Sequence, residues 1–228
     1  HVSSPTMVWL LLCVAAVAAS SIEFELSLAK TLFPLAAGAE CFQGRGYKVV
    51  KKISVNVSQL ESVTAIIGVN DDTKSIAVSF TGNRTDNIEN VFSEASSSQK
   101  AFALTGGDVF ASYMDAFWEM WREFSPSFIA LIDTKKGYTV HVTGYSFGGA
   151  IASVVAAHMS ASNFVDKDAL LLYTFGQPKV GDAEFATEFK RRVPHSWRVV
   201  HDEDIVPTLP PNSLGYTHFW GEVFFKAE

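Results

Sequence analysis

Basic residues are scarce in this chain of 228 residues, which has 18 lysines and arginines against 24 aspartates and glutamates and a net charge of −6. The short basic runs at 51–52, 135–136 and 190–192 are scattered and form no stripe that would displace counterions from phosphates. We therefore expect no nucleic-acid partner. Charged residues make up only 18% of the chain and apolar residues 48%, which predicts an ordered domain with a substantial core.

A hydrophobic run long enough to span a membrane is also lacking. The apolar run from Met7 to Ala19 is shorter than the roughly 20 residues that a helix needs to cross a bilayer. It ends in the small residues Ala16 to Ser20, a pattern typical of signal peptidase sites. We predict a signal peptide at residues 7–20, a secreted protein and one mature domain at residues 21–228. The alternative for the first segment is a buried N-terminal helix.

Cysteine is nearly absent. Cys13 lies inside the predicted signal peptide, so the mature chain keeps Cys41 alone. In an oxidising compartment, a single cysteine is either a buried free thiol or one whose partner is missing from this sequence. No cysteine and histidine cluster has the spacing of a zinc site, and residues 144–149 lack the Lys-Ser/Thr ending of a phosphate-binding loop. We expect neither a metal nor a cofactor.

Strand and helix patterns alternate along the second half of the chain. The predicted elements are a helix at 109–124, a strand at 138–143, a helix at 148–160, a strand at 169–175, a helix at 182–192 and a strand at 196–201. Upstream of them, a helix at 22–37 that Pro34 interrupts precedes strands at 48–55, 63–69 and 75–81, the last two forming a hairpin. Alternating strands and helices predict parallel β-α-β units, and hence an α/β fold with a sheet covered on both faces.

The most informative segment is the strand at 138–143, followed by Gly144-Tyr-Ser146-Phe-Gly148 and a helix of small residues. A serine hydroxyl is a weak nucleophile unless it is exposed beside a base and beside donors for the developing oxyanion. A sharp strand-to-helix turn exposes it, and the flanking glycines let the two elements approach without a Cβ clash. Ser146 is therefore the candidate nucleophile of an acyl-transfer reaction.

The candidate acid is Asp204. It follows the predicted strand at 196–201 and precedes the proline-rich residues Val206 to Pro211, which would fix its position. Parallel sheets place their sites at the carboxyl ends of strands. For the base, His218 is the histidine that lies downstream of the acid in the Ser-Asp-His order of such folds. An alternative role for His218, a hydrogen bond to the proline loop, stays open.

Donors for the oxyanion are expected from two places. One is the backbone N–H of Phe147, the residue after the nucleophile. The other is the loop after an earlier strand, and the strand at 75–81 runs into Gly82, which permits a close approach. Ile88, Val91 and Phe92 then fall on one side of a short amphipathic helix. That helix is either a lid over an apolar acyl pocket or an ordinary surface helix.

Five segments in this order resemble the class 3, or fungal-type, triacylglycerol lipases, and in particular their secreted nematode-like animal members. The matching residues are Ser79 to Gly82, Thr143 to Ala150, Tyr173 to Pro178 with Gly181, Arg198 to Pro207 with Leu209-Pro210, and Gly215 to His218 with Glu222 to Phe224. The resemblance implies an α/β-hydrolase fold with a central, mostly parallel sheet. It also implies hydrolysis of acylglycerol-type esters at a lipid–water interface, through an acyl-enzyme on Ser146. By the same resemblance, Asp204 is the acid of the triad, Phe147 and Asn83 are the two oxyanion positions, and the residues after Asn83 form the lid.

Three features depart from the pattern of the family. Thr81 stands where the family has arginine, and Asn83, at a position usually taken by serine or threonine, opens a glycosylation sequon with Thr85. The catalytic histidine of the family lies in a later aromatic-rich segment, and His218 matches a non-catalytic position. We therefore expect a domain truncated at its C-terminus, with the base beyond residue 228. Two other functions stay open: a secreted lipase-like binding protein without a catalytic histidine, and an esterase for soluble esters.

Overall fold

A central sheet organises the part of the chain that the structure describes. A computed structural model describes residues 22–38, 45–57, 60–83 and 98–226, with the backbone alone for residues 60, 61 and 83. The sheet contains β1 Lys48–Val57, β2 Leu60–Asn70, β3 Ser75–Asn83, β6 Thr139–Tyr145, β7 Leu170–Phe175, β8 Ser196–His201 and β9 Glu222–Phe225, while β4 Gln99–Ala101 and β5 Asp108–Phe110 form a separate pair. The predicted signal peptide, Cys41 and the predicted lid helix lie outside the described residues and stay predictions.

The sheet is antiparallel at one end and parallel over the rest. Its strand order is β1-β2-β3-β6-β7-β8-β9. The first three strands pair antiparallel, with β2 and β3 joined as the predicted hairpin, and all later pairs are parallel. The carboxyl ends of β3, β6, β7 and β8 therefore meet at one edge of the sheet, where parallel sheets place their sites. The predicted α/β architecture with a mostly parallel sheet is confirmed.

Helices cover both faces of this sheet. They are α1 Leu26–Ala37, α2 Ala111–Thr134, α3 Phe147–Ala161 and α4 Ala183–Arg192. Side chains alternate along β7, so that Leu171 and Tyr173 pack with α1 while Leu170 and Leu172 belong to the larger core with α2, α3 and α4. None of the helices in the described part of the chain has both the length and the hydrophobicity of a membrane-spanning segment.

Two helices continue through a proline, and one of them extends well beyond its predicted end. The helix α1 passes Pro34, and α2 runs ten residues beyond the predicted end at Phe124, passing Pro126. A proline leaves the carbonyl four residues earlier without its donor. Those carbonyls belong to Lys30 and Arg122, which lie on exposed sides of their helices where water can bind. Burial of apolar side chains such as Phe128 on the following turn outweighs the lost bond.

Two histidines are buried away from the carboxyl edge of the sheet. His141 on β6 bonds to the Tyr47 hydroxyl through Nδ1 at 3.2 Å. His158 on α3 lies among aromatic rings, with the Trp121 ring centroid at 4.3 Å and that of Phe117 at 5.0 Å. Burial lowers the pKa of each imidazole to about 4 from an ordinary value of 6.5.

We expect the free energy of unfolding to fall as the pH drops from 6.5 towards 4. In this window the histidines of the unfolded chain bind protons and the two buried ones do not, so protons favour unfolding. Replacing His158 with phenylalanine, whose ring suits the same aromatic cluster, should reduce this loss. Urea unfolding at a series of pH values measures it. A variant whose stability declines as steeply with acid as that of the parent chain would show that His158 is not a source.

Candidate active site

Ser146 occupies a strained turn between β6 and α3. Its backbone has φ 53° and ψ −124°, a left-handed conformation that costs energy for any residue with a Cβ atom. The Ser146 N–H donates to the Phe175 carbonyl at 2.8 Å, which ties the turn to the end of the neighbouring strand β7. The side chain is half-buried at the carboxyl edge of the sheet. A strand, a strained serine and a helix in this order are the geometry of a nucleophile elbow.

The two glycines that flank Ser146 are required by close approaches. A Cβ atom on Gly144 would lie 2.3 Å from the Gly148 carbonyl oxygen, and one on Gly148 would lie 2.1 Å from the Phe80 carbonyl oxygen. Neither position has room for a side chain, since real Cβ atoms do not approach backbone to within 3.0 Å. The predicted reason for these glycines is confirmed, and the contact also brings the end of β3 against the start of α3.

Asp204 lies at the same edge of the sheet, three residues after the end of β8. One carboxylate oxygen, Oδ1, accepts a hydrogen bond from the Val206 N–H at 3.0 Å, at the start of a 3-10 turn over Val206–Thr208. The other oxygen, Oδ2, faces Gly176, where a Cβ atom would lie 2.5 Å from it. Gly176 has φ 56° and directly follows Phe175, which binds the Ser146 N–H. The last residue of β7 and the one after it therefore lie between the candidate nucleophile and the candidate acid.

The first residue of α3 is Phe147. Its N–H belongs to the first turn of the helix, where backbone donors have no acceptor within the helix. A Cβ atom on Gly82 would lie 3.2 Å from Phe147 Cδ1, so the end of β3 packs against this residue. The Asn83 backbone follows directly and pairs with Ser62 of β2. Both predicted oxyanion positions thus lie in this region, and their role as donors stays a prediction.

His218 binds the proline loop. Its Nε2 donates to the Pro207 carbonyl at 2.7 Å. Its Nδ1 is buried and has no hydrogen-bond partner among the described residues. Burial, with a smaller contribution from the Arg198 charge, lowers the pKa of His218 to about 3. The imidazole makes no hydrogen bond to Ser146 or Asp204, and the geometry favours the loop bond that the sequence left open.

His201 is the other histidine close to the candidate acid. The sequence places it inside the last predicted strand, and it is indeed the final residue of β8. Its exposed side chain lines the same cavity as Asp204, a position that sequence reasoning missed because the end of a strand does not show which way a side chain turns. Across the described part of the chain, no histidine hydrogen bonds to either Ser146 or Asp204.

A cavity of about 910 Å³ opens beside Asp204. Its walls include the apolar side chains Leu26, Phe33, Phe175, Val199 and Phe225, together with Tyr145, Gly176 and Asp204. The cavity lies between α1 and the last two strands, and its lining suits apolar groups. Within the described ranges, no group of three or more His, Cys, Asp or Glu side chains is arranged to hold a metal ion.

Comparison with known proteins decides the family. Residues 77–214, more than half of the chain, match the model of the family described as lipase (class 3). The chain belongs to the class 3 lipase family. The match spans the hairpin strand β3, the elbow, the segment after β7 and the Asp204 loop, which are four of the five segments that carry the sequence resemblance.

Individual relatives agree with this assignment. The chain is 32% identical over 160 residues to the secreted mono- and diacylglycerol lipase 1 of Fusarium solani, covering 68% of this chain and 45% of that protein. It is 28% identical over 195 residues to a lipase of Rhizomucor miehei, covering 84% and 53%. A lipase of Caenorhabditis elegans is 40% identical over 88 residues, covering 38% and 25%. The chain thus spans about half the length, or less, of the curated relatives it matches.

Solved structures show the same fold. The lipase from Rhizopus microsporus var. chinensis superposes with a TM-score of 0.78 at 24% identity, covering 89% of this chain and 75% of that chain. Lipase II from Rhizopus niveus also gives 0.78, at 22% identity and with 88% and 80% coverage. The predicted α/β-hydrolase fold is confirmed.

Proposed function

We propose that the protein is a secreted lipase that hydrolyses acylglycerol-type esters through an acyl-enzyme on Ser146. The observation that carries this proposal is the strained elbow of Ser146, tied to Phe175, with Asp204 held against the adjoining Gly176. Secretion is supported by the predicted signal peptide at residues 7–20 and by the word "secreted" in the name of the Fusarium relative. A lipid substrate is supported by the names of the fungal relatives, which are lipases.

The chemistry begins at the Ser146 hydroxyl. Its oxygen attacks the carbonyl carbon of the ester while a base removes its proton, and the carbonyl oxygen becomes an oxyanion. The Phe147 N–H and the Asn83 position are the proposed donors to this oxyanion. The tetrahedral intermediate then expels the alcohol, which takes the proton from the base, and leaves an acyl group on Ser146. Water, activated by the same base, releases the fatty acid and restores the serine.

The base is proposed to come from beyond residue 228. Support comes from the five histidines in the described residues, none of which bonds to Ser146 or Asp204, and from the family pattern, which has a later catalytic histidine. Asp204 would orient that imidazole and stabilise its charged form, and the cavity beside the carboxylate has room for the segment that carries it. The residues after Asn83 are proposed as the lid that closes over the acyl chain.

A binding protein without catalysis is the second candidate. It is favoured by Thr81, by the sequon at Asn83, where a glycan would obstruct the oxyanion site, and by the bond that commits His218 to the proline loop. An esterase for soluble esters would share every catalytic group with the lipase and differ only in its response to an interface.

The deciding experiment expresses the reading frame past residue 228 as a secreted protein and assays it on emulsified acylglycerols and on dissolved short-chain esters. We expect hydrolysis that rises sharply once the substrate forms an interface. We also expect strong labelling by a fluorophosphonate probe in the extended protein and little in the 228-residue form. Activity on dissolved esters alone would indicate the esterase. No hydrolysis and no labelling in the extended protein would indicate the binding protein.

A further inference from the structure

Four consecutive carbonyl groups of the proline loop, those of residues 207–210, accept hydrogen bonds from two residues, His218 and Lys179. The Pro207 carbonyl accepts from His218 Nε2 at 2.7 Å. Lys179 takes the next three: its Nζ donates to the carbonyls of Thr208 and Pro210, the latter at 3.1 Å, and its backbone N–H donates to that of Leu209 at 2.7 Å. Pro207 and Pro210 are buried and have no N–H of their own, so this part of the loop depends on donors from outside it.

The Lys179 side chain is buried where it binds these carbonyls, which is unusual for a lysine. It is only 8% exposed, and no carboxylate pairs with its ammonium among the described residues. Burial lowers the pKa of the amine, since it disfavours the charged form. A buried lysine without an ion pair costs stability unless carbonyl oxygens satisfy it. The buried Lys179 ammonium is therefore satisfied by the carbonyls of one loop, which it holds in place.

That loop begins at the candidate acid. Asp204 Oδ1 accepts from the Val206 N–H, and the Val206 carbonyl in turn accepts from the Leu209 N–H at 3.0 Å. Leu209 is the residue whose carbonyl binds the Lys179 N–H. A short series of hydrogen bonds thus connects the Lys179 backbone N–H to the carboxylate, while the Lys179 Nζ holds the Thr208 and Pro210 carbonyls on either side of Leu209.

The same segment also touches the other side of the acid and the nucleophile helix. Gly176, three residues before Lys179, lies against Asp204 Oδ2. Between them, the Gln177 side chain accepts a hydrogen bond from Ser153 of α3 at 2.9 Å. Residues 176–179 therefore hold the acid loop at two points and the helix that begins after Ser146 at one.

We propose that Lys179 and His218 are positioning residues, which hold the carbonyls of residues 207–210 and thereby set the orientation of the Asp204 carboxylate towards the base. This inference rests on the proposed function. A carboxylate orients an imidazole and stabilises its charged form only within a narrow geometry. A displacement of about 1 Å can therefore lower the rate on the order of 100-fold.

The test is a double-mutant cycle in the full-length protein with an emulsified acylglycerol as substrate. Lys179→Met removes the charge and both Nζ bonds, and should lower kcat by about 10- to 100-fold with little change in KM. Lys179→Arg, which keeps a buried cation with several donors, should recover most of kcat. In an Asp204→Asn background, Lys179→Met should cause little further loss, because the group through which it acts is already gone.

A second pair of variants guards against misfolding of the lysine mutant. His218→Gln keeps an N–H donor in reach of the Pro207 carbonyl, whereas His218→Leu does not, so only the second should lower kcat. All variants are compared below their thermal midpoints. Equal losses for Lys179→Met with and without Asp204 would overturn the positioning role and leave the proposed function intact. Full activity of Asp204→Asn alone would instead remove the acid from the proposed function, and this inference with it.

Discussion

Replacement of Ser146 by alanine should lower kcat for ester hydrolysis in the full-length protein by about 10⁵- to 10⁶-fold, the size of effect seen when a serine nucleophile is removed from a triad. The nearest other hydroxyl on α3, that of Ser153, could not take over, because it is fully buried and bonded to Gln177. Initial rates on emulsified acylglycerols and burst labelling with a fluorophosphonate probe measure the loss. Binding of the protein to the emulsion surface should be unchanged.

Two further variants separate loss of chemistry from loss of fold. Ser162, replaced by alanine in the first variant, follows the opposite end of α3, about 24 Å away at 1.5 Å per residue, so Ser162→Ala should keep its activity. Ser146→Gly should be inactive like the alanine variant but more stable, because glycine adopts a φ of 53° without strain. Hydrolysis by Ser146→Ala at close to the parent rate would rule out the acyl-enzyme on this residue, because the oxyanion donors and binding alone sustain only a small residual rate.

The elbow and its sheet could be predicted from the sequence because they depend on local patterns. Alternating apolar residues predict β6, the glycines at 144 and 148 predict the turn, and small residues predict a helix that can lie close to strands. The position of Asp204 follows from the same logic, since a carboxylate after a parallel strand reaches the edge where the elbow lies. These features need no knowledge of distant contacts.

The features that position the acid could not be predicted from the sequence alone. Gly176 lies against the carboxylate because β7 is placed between β6 and β8, and strand order is a property of the whole chain. Nothing local indicates that Lys179 turns inwards to bind carbonyls, because a lysine is normally solvated. The strand β9 was missed because its four residues follow a glycine and have no alternating pattern, its pairing coming entirely from β8.

Replacement of Asp204 by asparagine should lower kcat in the full-length protein by about 10⁴-fold with KM nearly unchanged, as when the acid of a serine triad is made neutral. The amide oxygen of asparagine can still accept from the Val206 N–H, so the 3-10 turn and the loop should persist. The loss would arise because a neutral amide neither stabilises the imidazolium that forms in the transition state nor fixes the tautomer that accepts the serine proton. The pH dependence of kcat/KM measures this loss. The acidic limb of the profile should lie at higher pH in the parent protein than in the variant.

The matched control is Asp202→Asn, which removes the same charge from an exposed position two residues earlier on the same loop. If the loss of activity in Asp204→Asn were a long-range consequence of net charge, the two variants would lose similar activity, because each substitution raises the net charge by one. The geometry argues otherwise, since Asp204 alone lies between the Val206 N–H and Gly176 at the edge that carries Ser146. Equal losses in both variants would therefore move the acid of the triad away from residue 204, and would leave the buried lysine and the proline loop without a catalytic purpose.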